Sequence, residues 1–403
     1  MLKSTSAHSR QTLVMIRTNL SSLSRRRAIS ASMALSVALV VCVLAGFLSM
    51  AKGFETALAS AGSPSVAVLL GGGTNQETGS DIPAAVIRTL DAMTGDIGVV
   101  RDTEGKLASS REIVVPVDMK LEAEEPARTM ALRGMDAAGP SIRDGVALSA
   151  GHVFTPGTRE IVVGDRLAEE FGLDVGDTVR LGAVDWTVAG RFSAHGSAFE
   201  SEIWADLNAV RAAFDRQGEV QSLKLRLTGP DALERLRRSL VTITQTPLVT
   251  LSEADLYAAQ SGRTASLIRL FGWPLALLMA IGATAGALNT MMSSVSDRTV
   301  EIATVRALGF SRLSAFFGTW VEAVVLASAG VLLGLFASWL VFHGWQASTL
   351  GANNTRMAFQ LTITPDILAI SGLLGLAIGI VGGALPAIAA TRLPMTEALR
   401  ARG

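Results

Sequence analysis

The sequence predicts an integral membrane protein of four transmembrane α-helices, with a large extracytoplasmic α+β domain inserted between helices 1 and 2. Three observations lead there. The chain is 49% hydrophobic and only 17% charged, with 39 glycines in 403 residues, and its mean hydropathy is +0.41, too apolar for an ordinary soluble enzyme. Four runs are long enough to cross a hydrocarbon core, which takes about 20 residues at about 1.5 Å of rise each. Residues 52–263, of mixed polarity, separate the first run from the second and suffice for a folded domain with its own core.

Taken in order, residues 1–27 read as a cytoplasmic amphipathic segment. Leu13, Ile16, Leu20 and Leu23 recur at helical spacing while Arg17, Asn19 and Ser22 take other faces. Such a helix lies on the membrane surface or extends the first span. Residues 28–51 form transmembrane helix 1. Its apolar core exceeds the roughly 7–15 residues of a signal-peptide h-region and no clean A-x-A site follows, so it reads as an uncleaved signal anchor. Cys42, the only cysteine, falls inside it, so no disulfide braces the domain that follows.

Within 52–263 a strand at 66–70 ends in a Gly71-Gly72-Gly73 turn, a helix follows Pro83, and β-rich runs occur at 113–117 and 129–132. From Arg159 the pattern gives a strand, a short helix opened at Asp165, a turn at Gly176-Asp177 and two alternating strands, a β-rich subdomain near 136–216. A strand at 220–227, a helix at 231–240 and a strand at 248–251 complete an α+β core into which that unit is inserted. Trp186 and Trp204 fall in β-like runs and read as core. Transmembrane helix 2 is placed at 264–292, a short cytoplasmic helix at 293–313, helix 3 at 314–343, an extracytoplasmic loop at 344–365, helix 4 at 366–390 and a cytoplasmic tail at 391–403.

Orientation follows from the cations. Lys3, Arg10, Arg17, Arg25, Arg26 and Arg27 precede the first span; Arg298, Arg306 and Arg312 follow the second; Arg392, Arg400 and Arg402 follow the fourth, and the loop between the third and fourth holds only Arg356. The positive-inside rule then puts both termini in the cytoplasm and the large insert outside. Positive and negative side chains balance at 35 each, which predicts no affinity for nucleic acid.

Three features are candidates for function. In the 293–313 connection, Val300, Ile302, Val305 and Leu308 can cover one side of a short helix, Arg298 and Glu301 are spaced for an i,i+3 ion pair, and Gly309 is the expected stop. A charged helix held between two spans lies on the bilayer or docks into another protein. Gly282 and Gly286, Gly330 and Gly334, then Gly375, Gly379 and Gly383 recur every four residues, a spacing that lets transmembrane helices pack closely. Glu322, just inside the third span, reads as an intramembrane ion-pairing residue with Arg312 or Arg306 in reach, and Arg269 as a snorkelling cation.

Enzyme chemistry finds no constellation. His8, His152, His195 and His343 lack metal-ligand spacing, Ser193 near His195 lacks a nucleophile elbow, and the glycine triplet has no Lys-Ser or Lys-Thr at P-loop spacing. The sequence carries no G-x-x-x-x-G-K-[ST], so no catalytic or metal site and no cofactor is expected on this chain.

The stretch with Arg298, Glu301, Ile302, Arg306, Ala307, Leu308 and Gly309, followed by Glu322, resembles the coupling-helix region of FtsX-like permeases. Pro386, Pro394, Ala398, Leu399 and Arg400 resemble that family's C-terminal signature, and residues 160–192 resemble the periplasmic core domain of MacB-like permeases. The resemblance implies the membrane subunit of a type VII ABC transporter in the bacterial cytoplasmic (inner) membrane. A separate cytoplasmic ABC ATPase would hold ATP and Mg, a second permease chain would complete a homo- or heterodimer, and a membrane-fusion-type periplasmic adaptor is a further partner. Arg298, Glu301, Ile302, Val305, Arg306, Leu308 and Gly309 would then be the ATPase-coupling residues, and export or extraction of a substrate would proceed by mechanotransmission. The alternative it implies is a non-transporting FtsX-like signalling scaffold that activates a cell-wall hydrolase or senses an envelope ligand.

Overall fold

A computed structural model describes residues 2–22, 27–120, 127–243, 248–350 and 355–392. In chain order the elements begin with α1 (Leu2–Ser22), α2 (Arg27–Ala59), β1 (Val66–Gly71), α3 (Ala84–Ala92), β2 (Ser109–Met119), β3 (Arg128–Met135), the one-turn α4 (Gly139–Ile142) and β4 (Ala147–Gly151). They continue with β5 (Glu160–Gly164), α5 (Asp165–Phe171), β6 (Thr178–Leu181), β7 (Val184–Ser193), a 3-10 turn (Ala198–Ser201), β8 (Glu202–Asp206), α6 (Leu207–Ala213), β9 (Ser222–Arg226), α7 (Ala232–Ile243) and β10 (Leu248–Ser252). Then come α8 (Glu253–Asp297), α9 (Thr299–Ala307), α10 (Arg312–Phe342), β11 (Gln346–Leu350), β12 (Arg356–Gln360) and α11 (Pro365–Arg392). The chain divides into two compact units, one of Met1–Ala51, Leu267–Trp345 and Thr362–Gly403, the other of Lys52–Ser266 and Gln346–Leu361.

Among the described residues, four helices are long and apolar enough to cross a bilayer: α2 from Ser30, α8, α10 and α11. Lipid offers no partner for backbone N–H and C=O groups, so apolar runs of this length satisfy them internally as helix. Pro274 and Pro386 sit inside α8 and α11, where neighbouring helices can compensate for the missing donor. Ser311 caps α10 by accepting the Ser314 N–H.

Glycine sets the helix spacing in the first unit. A Cβ on Gly379 would lie 2.2 Å from Ala327 Cβ, and one on Gly383 2.4 Å from Ala323 Cβ, so α10 and α11 meet almost backbone to backbone. Gly330 and Gly334 press on the Ala34 and Ala38 carbonyls of α2, and Gly375 lies between Val331 and Val41. Met33, Val37, Ala287, Met291 and Ile378 fill the rest of this core.

The N-terminal segment is helical, but its packed face differs from the one its leucines suggest. Leu13 is 67% exposed, whereas Met15 and Asn19 are buried, and both reach Gly318 of α10. Thr12 and Ser314 share a hydrogen bond of 3.2 Å. A glycine on α10 leaves a slot that an unbranched Met and a short Asn can enter and a branched Leu fits less well. Leu23, Arg25 and Arg26, like Pro394, Ala398, Leu399, Arg400 and Arg402, lie outside the described residues.

In the second unit one mixed sheet runs in the order β10-β1-β9-β2-β3-β8-β5-β7-β4, with β6 added on β7. The β-rich stretch near 136–216 is therefore continuous with the rest: β8 pairs parallel to β3, joining Leu132 to Ile203 in register. Every residue of β1 is buried, because both sheet faces are covered there. Leu69 joins the core formed with α3 and α7, and Val68 and Leu70 meet Leu256 at the start of α8. A second core gathers Ile113, Leu132, Ile161, Leu167, Trp186, Ile203 and Val210. Phe192 stacks on Trp204 at 3.9 Å between ring centres, a contact worth about 0.5–1.5 kcal/mol beyond its buried area.

The loop expected at 344–365 contains a hairpin, β11 paired antiparallel with β12, and Gln346–Leu361 belongs to the sheet-bearing unit. Ala358 is its point of attachment. Its N–H donates to Ser201 Oγ at 3.0 Å, its carbonyl accepts from Arg166 Nη1 at 3.2 Å, and Phe359 meets the edge of Phe54 at 5.6 Å. Short strands of mixed polarity carry too weak a period-2 signal to separate from a loop by sequence.

Candidate functional site

The site begins where α8 gives way to α9. Arg298, at the N-cap of α9 with a non-helical backbone, is buried and donates to Glu322 of α10 and to Ser294 Oγ at 3.0 Å. The i,i+3 pair expected between Arg298 and Glu301 is thus replaced by a pair that crosses between helices. Burial explains the exchange: Glu322 faces the helix interior and needs a charge partner there, while Glu301 is exposed and has water.

Helix α9 is two-sided. Ile302 and Ala303 are buried, and Ile302 and Val305 pack with Met15, Val295, Ala315 and Ala390. Arg306 Nη1 donates to the Thr391 carbonyl at 3.1 Å. The expectation that Val300, Ile302, Val305 and Leu308 share one face is corrected here: Ile302 and Val305 belong to this unit's own core and Val300 is half-buried, while Leu308 is 77% exposed. Leu308 is the C-cap with φ −75° and ψ 3°, and six residues at 3.6 per turn already place it about 120° around the helix from Ile302. Gly309 follows at φ +98°, a left-handed conformation that ends the helix and that glycine adopts without strain. Its N–H donates to the Arg306 carbonyl at 3.0 Å, and its carbonyl accepts from Gln11 Nε2 at 3.5 Å. Glu301, Thr304, Ala307 and Leu308 remain as an exposed face with an acid at one end and an apolar tip at the other.

The seven candidate packing glycines divide into two groups. Gly330, Gly334, Gly375, Gly379 and Gly383 are consumed by contacts inside the unit, whereas a Cβ on Gly282 or Gly286 would meet nothing within 4 Å. Asn289 continues that exposed strip of α8. The four-residue spacing missed Gly382, on which a Cβ would lie 3.1 Å from Ala287 Cβ and 3.3 Å from the Thr284 carbonyl oxygen of α8; a neighbour of Gly383 breaks the register that identifies the others.

In the sheet-bearing unit, Met119, Phe171, Leu173, Val179 and Phe214 wall an open cleft of about 710 Å³ with Asp118, Lys120 and Arg180 also lining it. No sequence motif marks it. Trp186 and Trp204 are core residues, as their strand positions predict. His195 occupies a turn with φ 51°, Ser193 hydrogen-bonds Glu200 at 3.2 Å, and among the described residues no three His, Cys, Asp or Glu side chains converge to hold a metal.

Comparison with known proteins now separates a family from a general architecture. Residues 30–243 match the model of the MacB-like periplasmic core domain, and residues 274–395 match the FtsX-like permease C-terminal model. The macrolide export ATP-binding/permease protein MacB of Bordetella avium is 24% identical over 369 residues, covering 82% of this chain and 54% of that protein. The chain therefore spans about half the length of that relative. An uncharacterized ABC transporter permease, YvrN of Bacillus subtilis, is 36% identical over 117 residues, 28% of this chain and 26% of that one. The solved periplasmic region of MacB from Actinobacillus actinomycetemcomitans superposes with a TM-score of 0.38 at 11% identity, over 49% of this chain and 91% of that one. With the core-domain match covering more than half of its residues and the permease match covering the helices that follow, the chain belongs to the MacB/FtsX-like ABC transporter permeases.

Proposed function

We propose that this chain is the permease subunit of an ABC transporter driven by ATP hydrolysis on a separate cytoplasmic subunit, which holds the ATP and Mg and docks on the exposed face of α9. The observation that carries this reading is the two-sidedness of α9: Ile302 anchors it inward while Leu308 and Glu301 are left outward. An apolar tip 77% exposed beside an acid is a docking feature, since an isolated membrane protein gains nothing by presenting it to water. The relative from Bordetella avium is named as both ATP-binding and permease.

Two permease chains pair along the strip of α8 that carries Gly282, Gly286 and Asn289. Small residues allow close approach, and an amide facing lipid is costly unless another helix receives it. Both termini and α9 lie in the cytoplasm, following the cations. Closure of the ATPases pulls on α9, and the spans pass the pull to the extracytoplasmic domain as mechanotransmission, moving or extracting a substrate on the outer side. A membrane-fusion-type adaptor would receive it there.

The test is co-purification of a cytoplasmic ABC ATPase with this chain from its native membrane. Leu308→Glu and Glu301→Lys are expected to abolish association while membrane insertion stays normal; undiminished association of both variants overturns the docking role. ATP-driven movement of the extracytoplasmic domain without substrate translocation in vesicles would select the signalling scaffold instead.

A further inference from the structure

Beneath the sheet lies a buried chain of alternating charges. Arg133 of β3, 1% exposed, donates to both oxygens of Glu77 at 2.9 and 3.0 Å, to both of Glu202 at 2.7 and 2.8 Å and to Glu112 at 3.0 Å. Glu112 also receives Arg143 at 2.7 and 2.8 Å. Lys224 of β9 lies 3.4 Å from Glu77 and 3.1 Å from Glu253. Burial pushes Glu77 and Glu112 up, but the facing Arg133, Lys224 and Arg143 charges outweigh it, holding the Glu77 carboxyl well below its ordinary range and lowering that of Glu112.

Glu253 is the end of this chain and the first residue of α8. Its two oxygens take different partners, Lys224 Nζ at 3.1 Å on one and the Ser63 N–H at 3.4 Å on the other. Around it, Gly62 meets the Ala254 backbone so closely that a Cβ would lie 2.6 Å from Ala254 Cα. Leu256 packs on Val68 and Leu70, and Tyr257 sits edge-on to Phe199 at 5.6 Å with Lys224 Nζ 5.7 Å from its ring centre. One carboxylate thus ties the first turn of α8 to β9 and to the segment just after α2.

A buried ion pair is a poor source of stability, because apolar residues of equal volume often serve as well; what it adds is a fixed position. We propose that Glu253 is a positioning residue for transport, clamping the start of α8 to the sheet so that displacement along that helix moves the sheet. This rests on the mechanical reading above.

Tyr257 is the chain's only tyrosine, and its hydroxyl has no hydrogen-bond partner among the described residues. The full chain, made with 3-fluorotyrosine and reconstituted in lipid nanodiscs with its unlabelled ATPase, therefore gives one fluorine resonance inside the clamp. Because the clamp makes the start of α8 and the sheet travel together, ATP with vanadate should leave that resonance unmoved in the wild-type chain. Glu253→Gln should gain a nucleotide-dependent shift while the rate of ATP hydrolysis is kept, and Glu253→Asp should show a smaller one. The double variant Lys224→Gln/Glu253→Gln, which leaves no bare charge at this link, should gain it as well. A shift in the wild-type chain, or its absence from both variants while the extracytoplasmic domain still moves on nucleotide, overturns the proposal. An extracytoplasmic domain that does not move on nucleotide overturns the mechanical reading itself.

Discussion

Arg298 and Glu322 are both nearly sealed from solvent, at 6% and 3% side-chain exposure, so removing the Glu322 charge leaves Arg298 a buried cation beside the Ser294 hydroxyl. Glu322→Gln is expected to cost about 3–5 kcal/mol, and Arg298→Met/Glu322→Leu to recover most of it, because two apolar groups need no partner; thermal unfolding followed by tryptophan fluorescence reads both. That Glu322 pairs is legible in the sequence, since a charge inside a span demands compensation. Its partner is not, because local spacing favours Glu301 for Arg298, and only tertiary packing decides between exposed and buried acids. The cluster around Arg133 escapes sequence reading for a related reason. Charges in strands read as a solvent face, and nothing local reveals that both faces are covered. Its acids give a pH dependence with a fixed sign. Glu77 and Glu112 titrate below their ordinary 4.5 in the folded chain, and Asp144 is held at about 2 by the Ser63 and Ser65 hydroxyls and Arg226 against the upward push of its burial. The unfolded chain takes up these protons first. Their contribution is therefore complete above about pH 4.5 and is lost as pH falls below it. Melting temperatures recorded across that range should fall with acid, and less steeply in Glu112→Gln.

Among the elements, the long helices are the most legible, because a run that crosses lipid must be apolar throughout and fully helical. The hairpin β11–β12 and the packed face of α1 are the least so, since five-residue strands and a stripe built from Met15 and Asn19 give almost no periodic signal. Glycine spacing identifies a packing residue without saying what it packs against, and the structure divides the seven. Gly379→Val, which must displace Ala327, is expected to destabilise the helix bundle by about 3 kcal/mol, the upper end of overpacking costs. Gly282→Val should leave the stability within about 0.5 kcal/mol of wild type and instead reduce self-association, as cross-linked dimer in native membranes would show. Equal loss of stability at both positions would place the Gly282 face inside the chain's own core.

For the whole molecule, the alternation of membrane runs with one large insert made the architecture readable from the sequence. Division of labour within the short helix α9 was not readable, since its apolar residues are alike in sequence and differ only in what α1, α8, α10 and α11 leave uncovered. Topology is checked with cysteines at exposed positions in a Cys42→Ala background: Thr103→Cys should react with an impermeant maleimide from outside, and Thr304→Cys only after the membrane is opened. The account stands most directly on what touches Leu308. A photo-cross-linking amino acid placed there, in cells making the whole transporter, should capture the ATPase, while the same probe at Ile302 should capture only segments of this chain. Capture of lipid alone at Leu308, with the ATPase still bound to the complex, would contradict the role given to this face.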